Sequence, residues 1–270
     1  PSSSACSQRT KKGPAGNTRR AFFLIHGKPP TIMVFSETDI SLLRSCALLR
    51  DLPERALFED VLRCSENQLR VDAGVVLLKA GAEKPGLHLL AHGTVEMVVL
   101  APDGGEKIIE FARTGGLFAE ETLFDAQPLR YTVRTLTAAA ILRVPETTVD
   151  AWLTGSPEFS RRLMGALAAR TEYVQKDMVT FCTKSATARL VCYLVCQFDR
   201  APKTPDGSLL LNITLPRNKL ASRLGISDSH LSRAFKELEA QGLIVKQRNG
   251  ILIPNVPALS AYVCPSGCDW

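Results

Sequence analysis

Three groups of side chains in this sequence have the types and spacing to do chemistry. Glu120, Glu121 and Arg130 put two carboxylates and a guanidinium within one short tract, with His88 and His92 upstream of it. Such a set can hold a charged ligand or move protons, although no His-x-His metal pattern accompanies it. The eight cysteines, at 6, 46, 64, 182, 192, 196, 264 and 268, are scattered through apolar segments without a Cys-x2-Cys pair. Neither a zinc ribbon nor a disulfide scaffold is indicated, and reduced, buried thiols are expected. Cys264 and Cys268 are the pair that would answer to a metal or an oxidant, and no metal ligand set is assigned. The third group is Ser227-Asp228-Ser229-His230-Leu231-Ser232-Arg233. On a helix, Ser229, His230 and Arg233 share a face, and a guanidinium there matches the O6 and N7 acceptors of guanine.

These groups need elements to position them. The chain has 270 residues, 45% hydrophobic and 22% charged, which suits a globular protein of about two domains. No apolar run approaches the ~18 residues of a membrane span, and the apolar core Ala21–Ile25 is too short for a secretory signal. The expected location is the cytoplasm, with no membrane partner. The net charge of +6 arises in residues 1–32, which hold six cations and no carboxylate. That segment lacks periodicity and reads as a flexible basic tail. Residues 33–182 carry 16 basic and 21 acidic side chains, whereas residues 183–270 carry 11 and 6. An acidic portion thus precedes a basic one, the asymmetry expected when only the second meets phosphates.

From Thr38 to about Gln68, Ile40, Leu43 and Ala47, then Leu57, Val61 and Leu62, recur at helical spacing, broken at Leu52-Pro53. Between Val71 and Pro145 short apolar runs are punctuated by Gly74, Gly81, Gly86, Gly93, Gly104-Gly105 and Gly115-Gly116, the pattern of an all-β sandwich or barrel. Leu87 and Leu89 flank His88, which predicts His88 on the opposite, solvated face of its strand, with His92 at a turn and His26 in the tail. Ser156-Pro157-Glu158 opens a long helix to about Phe181. Met164, Leu167, Thr171, Val174, Met178 and Phe181 recur along it at the alternating three- and four-residue steps of a coiled-coil seam, which predicts a two-fold homodimer.

The C-terminal portion begins with an amphipathic helix over Ala188–Phe198, followed by a Pro/Gly-rich loop to Gly207 and a strand over Leu209–Leu215. Two helices then meet at Gly225. Their apolar positions Leu220, Ala221, Leu224, Ile226, Leu231, Phe235 and Leu238 fit a helix-turn-helix, with Ser227 as the cap of the second helix. Residues 243–253 add two strands joined at Asn249-Gly250, a hairpin signal. A helix-turn-helix followed by a hairpin is a winged helix, and double-stranded DNA is its expected partner.

These residues and motifs resemble the cAMP-receptor/FNR (Crp-Fnr) family of transcription regulators over roughly residues 36–256. The resemblance implies an α+β fold. A cyclic-nucleotide-binding-like β-roll (jelly roll) over 33–155 would sense a small effector, a dimerisation helix would span 156–182, and a winged helix-turn-helix would occupy 183–270. It further implies a homodimer on a pseudo-palindromic operator and RNA polymerase as a partner. In nucleotide-binding members of the family a Phe-Gly-Glu cassette ending in Arg-Ser or Arg-Thr holds the cyclic phosphate and ribose. Here the cassette runs Phe118-Ala119-Glu120 to Arg130-Tyr131, keeping Glu120 and Arg130 while Ala119 and Tyr131 crowd the phosphate. Val174 and Gln175 stand where small hydroxyls would face an adenine, and the implied effector pocket comprises Phe118, Ala119, Glu120, Arg130, Tyr131, Val174 and Met178.

cAMP is thereby disfavoured, and the N-terminal cysteines lack the spacing of an iron–sulfur site. The Phe118-Ala119-Glu120 triplet and the tract Lys184–Leu194 are similar to the Dnr branch, which implies haem as cofactor and nitric oxide as effector. The alternatives are a cyclic-nucleotide regulator with an altered phosphate pocket and, more remotely, a cupin-like enzyme. Under the same resemblance, Ser227, Asp228, Ser229, His230, Ser232 and Arg233 form the DNA-reading turns, with Ser229 where relatives carry a glutamate. Arg217, Lys219, Arg223, Lys236, Lys246 and Arg248 are suited to phosphates.

Overall fold

The computed structural model describes residues 31–32, 35–50, 52, 61–62, 67–83, 86–102, 104–124, 127–198, 207–213, 215–248 and 250–263. The chain forms two compact units, residues 1–168 and 169–270.

The first unit contains β1 (Thr31–Ile32), α1 (Glu37–Ser45), β2 (Gln68–Val71), β3 (Val76–Leu78), β4 (Leu87–His92), β5 (Thr94–Leu100), β6 (Glu106–Arg113), β7 (Leu117–Phe118), β8 (Thr132–Thr135), β9 (Ala139–Val144) and α2 (Glu146–Gly155). It also takes the first turns of the long helix α3 (Pro157–Thr183). The strands form two antiparallel sheets, ordered β1-β2-β9-β4-β7 and β3-β8-β5-β6. Alternation along β4 and β9 gives the five-stranded sheet two apolar faces. Leu87, Leu89, Ala91, Ala140, Leu142 and Val144 pack with Leu43 of α1, Val149 and Trp152 of α2, and Phe159 and Leu163 of α3. Leu90, Ala139 and Ile141 face the other way, into a core shared with Val95, Met97 and Val133 of the second sheet. The turn from β4 to β5 needs glycine. Gly93 has φ +101°, and a Cβ there would lie 2.5 Å from the Ala138 carbonyl oxygen.

One expectation is corrected by this layering, and one helix is added to it. His88 is not solvated: it is 3% exposed, because the face it shares with Leu90 is covered by the second sheet. The helix α2, which carries two of the buried side chains under β4 and β9, has no counterpart in the sequence reading. Of the second helical stretch, Leu57 lies outside the described residues, while Val61 and Leu62 are buried. α1 begins at Ser36, whose hydroxyl accepts from the Asp39 N–H while Asp39 accepts from the Ser36 N–H. Arg70 of β2 pairs with the same carboxylate and so ties the helix to the sheet.

The second unit contains the rest of α3, then α4 (Ala186–Val195), β10 (Leu209–Leu211), α5 (Arg217–Leu224), α6 (Asp228–Ala240), β11 (Val245–Gln247), β12 (Gly250–Ile253) and α7 (Val256–Val263). The strands order as β10-β12-β11, all antiparallel. α6 buries Leu231, Ala234, Phe235 and Leu238, the spacing of a single helical stripe, against Leu190, Val191 and Leu194 of α4 and Leu220 and Leu224 of α5. Each such leucine contributes on the order of 1.5–3 kcal/mol by leaving water. The strand expected over Leu209–Leu215 is shorter, ending at Leu211. α7 was not anticipated; its Leu259 and Val263 close the core.

Candidate nucleic-acid interface and sensor cassette

The recognition helix α6 starts where a serine can cap it. Ser227 is extended (φ −77°, ψ 159°), and its hydroxyl accepts from the His230 N–H at 3.3 Å. The same Oγ lies 2.7 Å from His230 Nδ1 and 2.9 Å from Ser229 Oγ, so the cap also orients the imidazole. With one stripe of α6 buried, its other face is presented to solvent: Ser227, Asp228, Ser229, His230, Arg233 and Lys236 are all exposed. Ser232 is half-buried and already engaged, donating to the Asp228 carbonyl and accepting from Arg217 Nη2 at 2.8 Å. Arg217 also lies 5.5 Å from the Phe235 ring centroid, so it is held against α6. Arg248 is exposed after β11, Lys219 is half-buried, and Lys246 of the wing pairs with Glu239 at 2.6 Å.

Arg223 departs from the expectation. It is 5% exposed and faces the long helix, where Nη2 donates to Tyr173 Oη at 2.7 Å and meets Asp177 Oδ2 at 2.9 Å. It is therefore not a phosphate contact. Helical spacing puts Arg223 beside the core positions Leu220 and Leu224 but does not say what covers it.

In the sensor unit, Phe118, Ala119, Glu120 and Tyr131 come together in the interior, each 5% exposed or less. Ala119 has φ +62°, a left-handed conformation that favours glycine. It precedes a single 3-10 turn over Glu120–Leu123, and its N–H donates to Tyr131 Oη at 3.3 Å. Arg130, by contrast, is exposed, and Val174 and Met178 belong to the second unit. His88 pairs with Phe118 across β4 and β7, and the two rings stack at 5.0 Å.

Comparison with known proteins places both halves. Residues 68–155 match the cyclic nucleotide-binding domain, and residues 188–262 match the Crp-like helix-turn-helix domain. The chain is 22% identical over 179 residues to the CRP-like cAMP-activated global transcriptional regulator of Mycobacterium tuberculosis, covering 66% of this chain and 80% of that one. It is 21% identical over 196 residues to the fumarate and nitrate reduction regulatory protein of Salmonella typhi, covering 73% and 78%. A solved CooA mutant from Carboxydothermus hydrogenoformans shares the fold with a TM-score of 0.69 at 17% identity, over 86% of this chain and 98% of that one.

This chain belongs to the Crp/FNR family. It is a DNA-binding transcription regulator of Crp/FNR type, with an effector-binding domain ahead of its helix-turn-helix. Among the described residues no helix is long and apolar enough to cross a membrane.

Seen as a Crp/FNR regulator, the chain shows its own pattern along α3. Met164, Thr171, Val174 and Met178 are exposed, Val174 by 52% and Met178 by 61%. Leu167 instead packs on the sensor core, and Phe181 turns inward beneath Arg189 and Arg223, so these two expected seam positions are partly used within their own units. Of the cysteines, Cys182 and Cys196 are exposed rather than buried, while Cys46 and Cys192 are half-buried. Burial raises the Cys192 thiol above its usual range, keeping it protonated. Cys6, Cys64, Cys264 and Cys268 lie outside the described residues, and no cluster of three or more metal-ligating side chains occurs among the described ones.

His88 generates a prediction. Burial, then the neighbouring Arg143 charge, pushes its pKa down to about 3, against an opposing hydrogen bond from Nδ1–H to the Gly86 carbonyl at 3.1 Å. The unfolded imidazole titrates near 6.5. Between those values the unfolded chain binds a proton that the folded chain refuses, so stability present above pH 6.5 is lost as pH falls, by up to about 1.4 kcal/mol per pH unit. Urea melts of His88→Phe at pH 7 and pH 5 are expected to show that much less pH dependence than the parent.

Proposed function

We propose that this regulator binds a pseudo-palindromic operator as a homodimer, reading bases with Ser229, His230 and Arg233. The observation that carries the reading is the capped, solvent-facing start of α6: three hydrogen-bonding side chains on a helix whose opposite stripe is buried. Lys236, Lys219 and Arg248 supply phosphate contacts, which set affinity rather than sequence. Arg217, tied to Ser232, sits at the joint between α5 and α6 and can contact phosphate without leaving Phe235. The exposed apolar positions Met164, Val174 and Met178 support a two-fold seam, since they recur along one long helix at the three- and four-residue steps of a coiled coil.

The effector is inferred to be something other than a cyclic nucleotide. A phosphate recognised at the cassette would need the Ala119 N–H, which the Tyr131 hydroxyl already takes. Nitric oxide sensed at haem, as the Dnr resemblance implies, would need a His, Cys or Met axial ligand beside an opening. Among the described sensor residues, His88 is sealed behind Phe118, Met97 is buried between the sheets, the Cys46 thiol donates to the Gly115 carbonyl, and His92 is exposed at the outer end of β4. These four side chains lend the haem reading no support. The cupin-like enzyme reading gains no support from His88, whose ring is buried against Phe118.

Three outcomes are expected. Arg233→Ala lowers discrimination between operator and mismatched duplex by about 1–3 kcal/mol, measured by gel shift at fixed salt; an unchanged ratio refutes the assignment. Met178→Glu gives a monomer in sedimentation, and an intact dimer refutes the seam. Calorimetry finds no cAMP binding and the purified protein shows no Soret band; a band that disappears in His88→Ala would reinstate haem.

A further inference from the structure

Two buried or half-buried arginines and one phenylalanine hold the helix-turn-helix to the last turns of the long helix. Tyr173, Asp177 and Phe181 recur every four residues and so form one stripe of α3. Arg223 of α5 engages all three: it donates to the Tyr173 hydroxyl, pairs with Asp177, and lies 6.0 Å from both the Tyr173 and Phe181 ring centroids. Burial opposes its charge, but the tyrosine and the carboxylate outweigh that and hold its pKa above the ordinary value.

Arg189 of α4 works on the same joint. Its guanidinium donates to three carbonyls: Phe181 at 2.7 Å, Lys184 at 3.2 Å and Leu224 at 3.4 Å. Phe181 and Leu224 lie in the last turns of α3 and α5, where carbonyls lack partners within the helix. The same Arg189 lies 5.2 Å from the Phe181 ring centroid. Gly225, the turn residue with φ +63°, sits so close that a Cβ there would be 3.0 Å from the Phe181 ring. Phe181 is thus enclosed by two guanidiniums and the turn that leads into the recognition helix.

We propose that Arg223 is a positioning residue for DNA readout, fixing the angle of the helix-turn-helix on α3 through Asp177 and Tyr173. The choice of charge over packing is the physical argument. An ion pair with a buried partner adds little net stability compared with apolar side chains of similar volume, whereas a planar guanidinium held by a carboxylate and a hydroxyl at once is directional. Val174 and Met178 form the adjacent, exposed stripe of α3, so any rotation of this helix that repacks them turns Tyr173 and Asp177 by the same angle. Arg223 converts that angle into the placement of α5 and, across Gly225, of Ser229, His230 and Arg233.

The inference rests on the DNA-reading role, and its test separates the two. The parent full-length protein first selects its duplex from a random pool; failure to select any sequence would overturn the DNA-reading assignment itself. Binding to the selected and to a scrambled duplex is then followed by fluorescence anisotropy at fixed salt, alongside thermal melting. Asp177→Asn is expected to lower the selected-to-scrambled affinity ratio at least tenfold while leaving affinity for the scrambled duplex within twofold. The paired change Arg223→Leu with Asp177→Leu is expected to melt at or above the parent temperature and still show the reduced ratio. A paired variant that melts like the parent and retains the parent ratio overturns the proposal, as does a loss of affinity for both duplexes in equal proportion. If the paired variant does not fold, Tyr173→Phe decides between the same two outcomes.

Discussion

The covering of both faces of the five-stranded sheet governs the sensor unit. An antiparallel sheet commonly leaves one face to water; here helices take one side and the second sheet takes the other. Leu87 and Leu89 can then be buried beside a buried His88, and the strand has no solvated register to occupy. The imidazole consequently stays neutral, stacked on Phe118 with Nδ1–H on the Gly86 carbonyl. Phe118 in turn fixes the start of the cassette, where Ala119 adopts a conformation that favours glycine and Tyr131 closes over its N–H. The chemistry available to an effector is set by this packing.

In the second unit the equivalent constraint is the burial of one stripe of α6. Leu231, Ala234, Phe235 and Leu238 must face the core, so the residues between them face out, and the Ser227 cap determines where that outward face begins. Cations around it divide by partner. Arg233 and Lys236 stand exposed on α6, Arg217 and Lys246 lie against Phe235, and Arg223 and Arg189 are committed to the joint with α3. Net positive charge in this half is therefore a poor count of DNA contacts, since part of it works inside the protein.

Much of the fold was legible because local periodicity and local turn chemistry agree. The step of three and four along Met164–Phe181, the Gly225 turn with Ser227 behind it, and Asn249-Gly250 each specify their element from a few neighbouring residues. The helices α2 and α7 were not legible: each is short, and what stabilises it is a surface supplied by distant strands and helices, Val149 and Trp152 under β4 and β9 in one case, Leu259 and Val263 against α4 in the other. The candidate recognition residues were legible as a set because capping and amphipathic spacing are local. Their individual roles were not, as Ser232 and Arg223 show.

By itself the sequence determined the long helix, the helix-turn-helix, the glycine-punctuated strand region, the family, and the face of α6 that carries Ser229, His230 and Arg233, because these follow from spacing within one element or a few neighbouring ones. Only the tertiary structure decided that His88 is buried and neutral, that Tyr131 takes the Ala119 N–H, and that Arg223 joins Asp177 rather than solvent. Each of those outcomes depends on which remote surface covers a residue, and alternation or charge along the chain carries no record of what lies opposite.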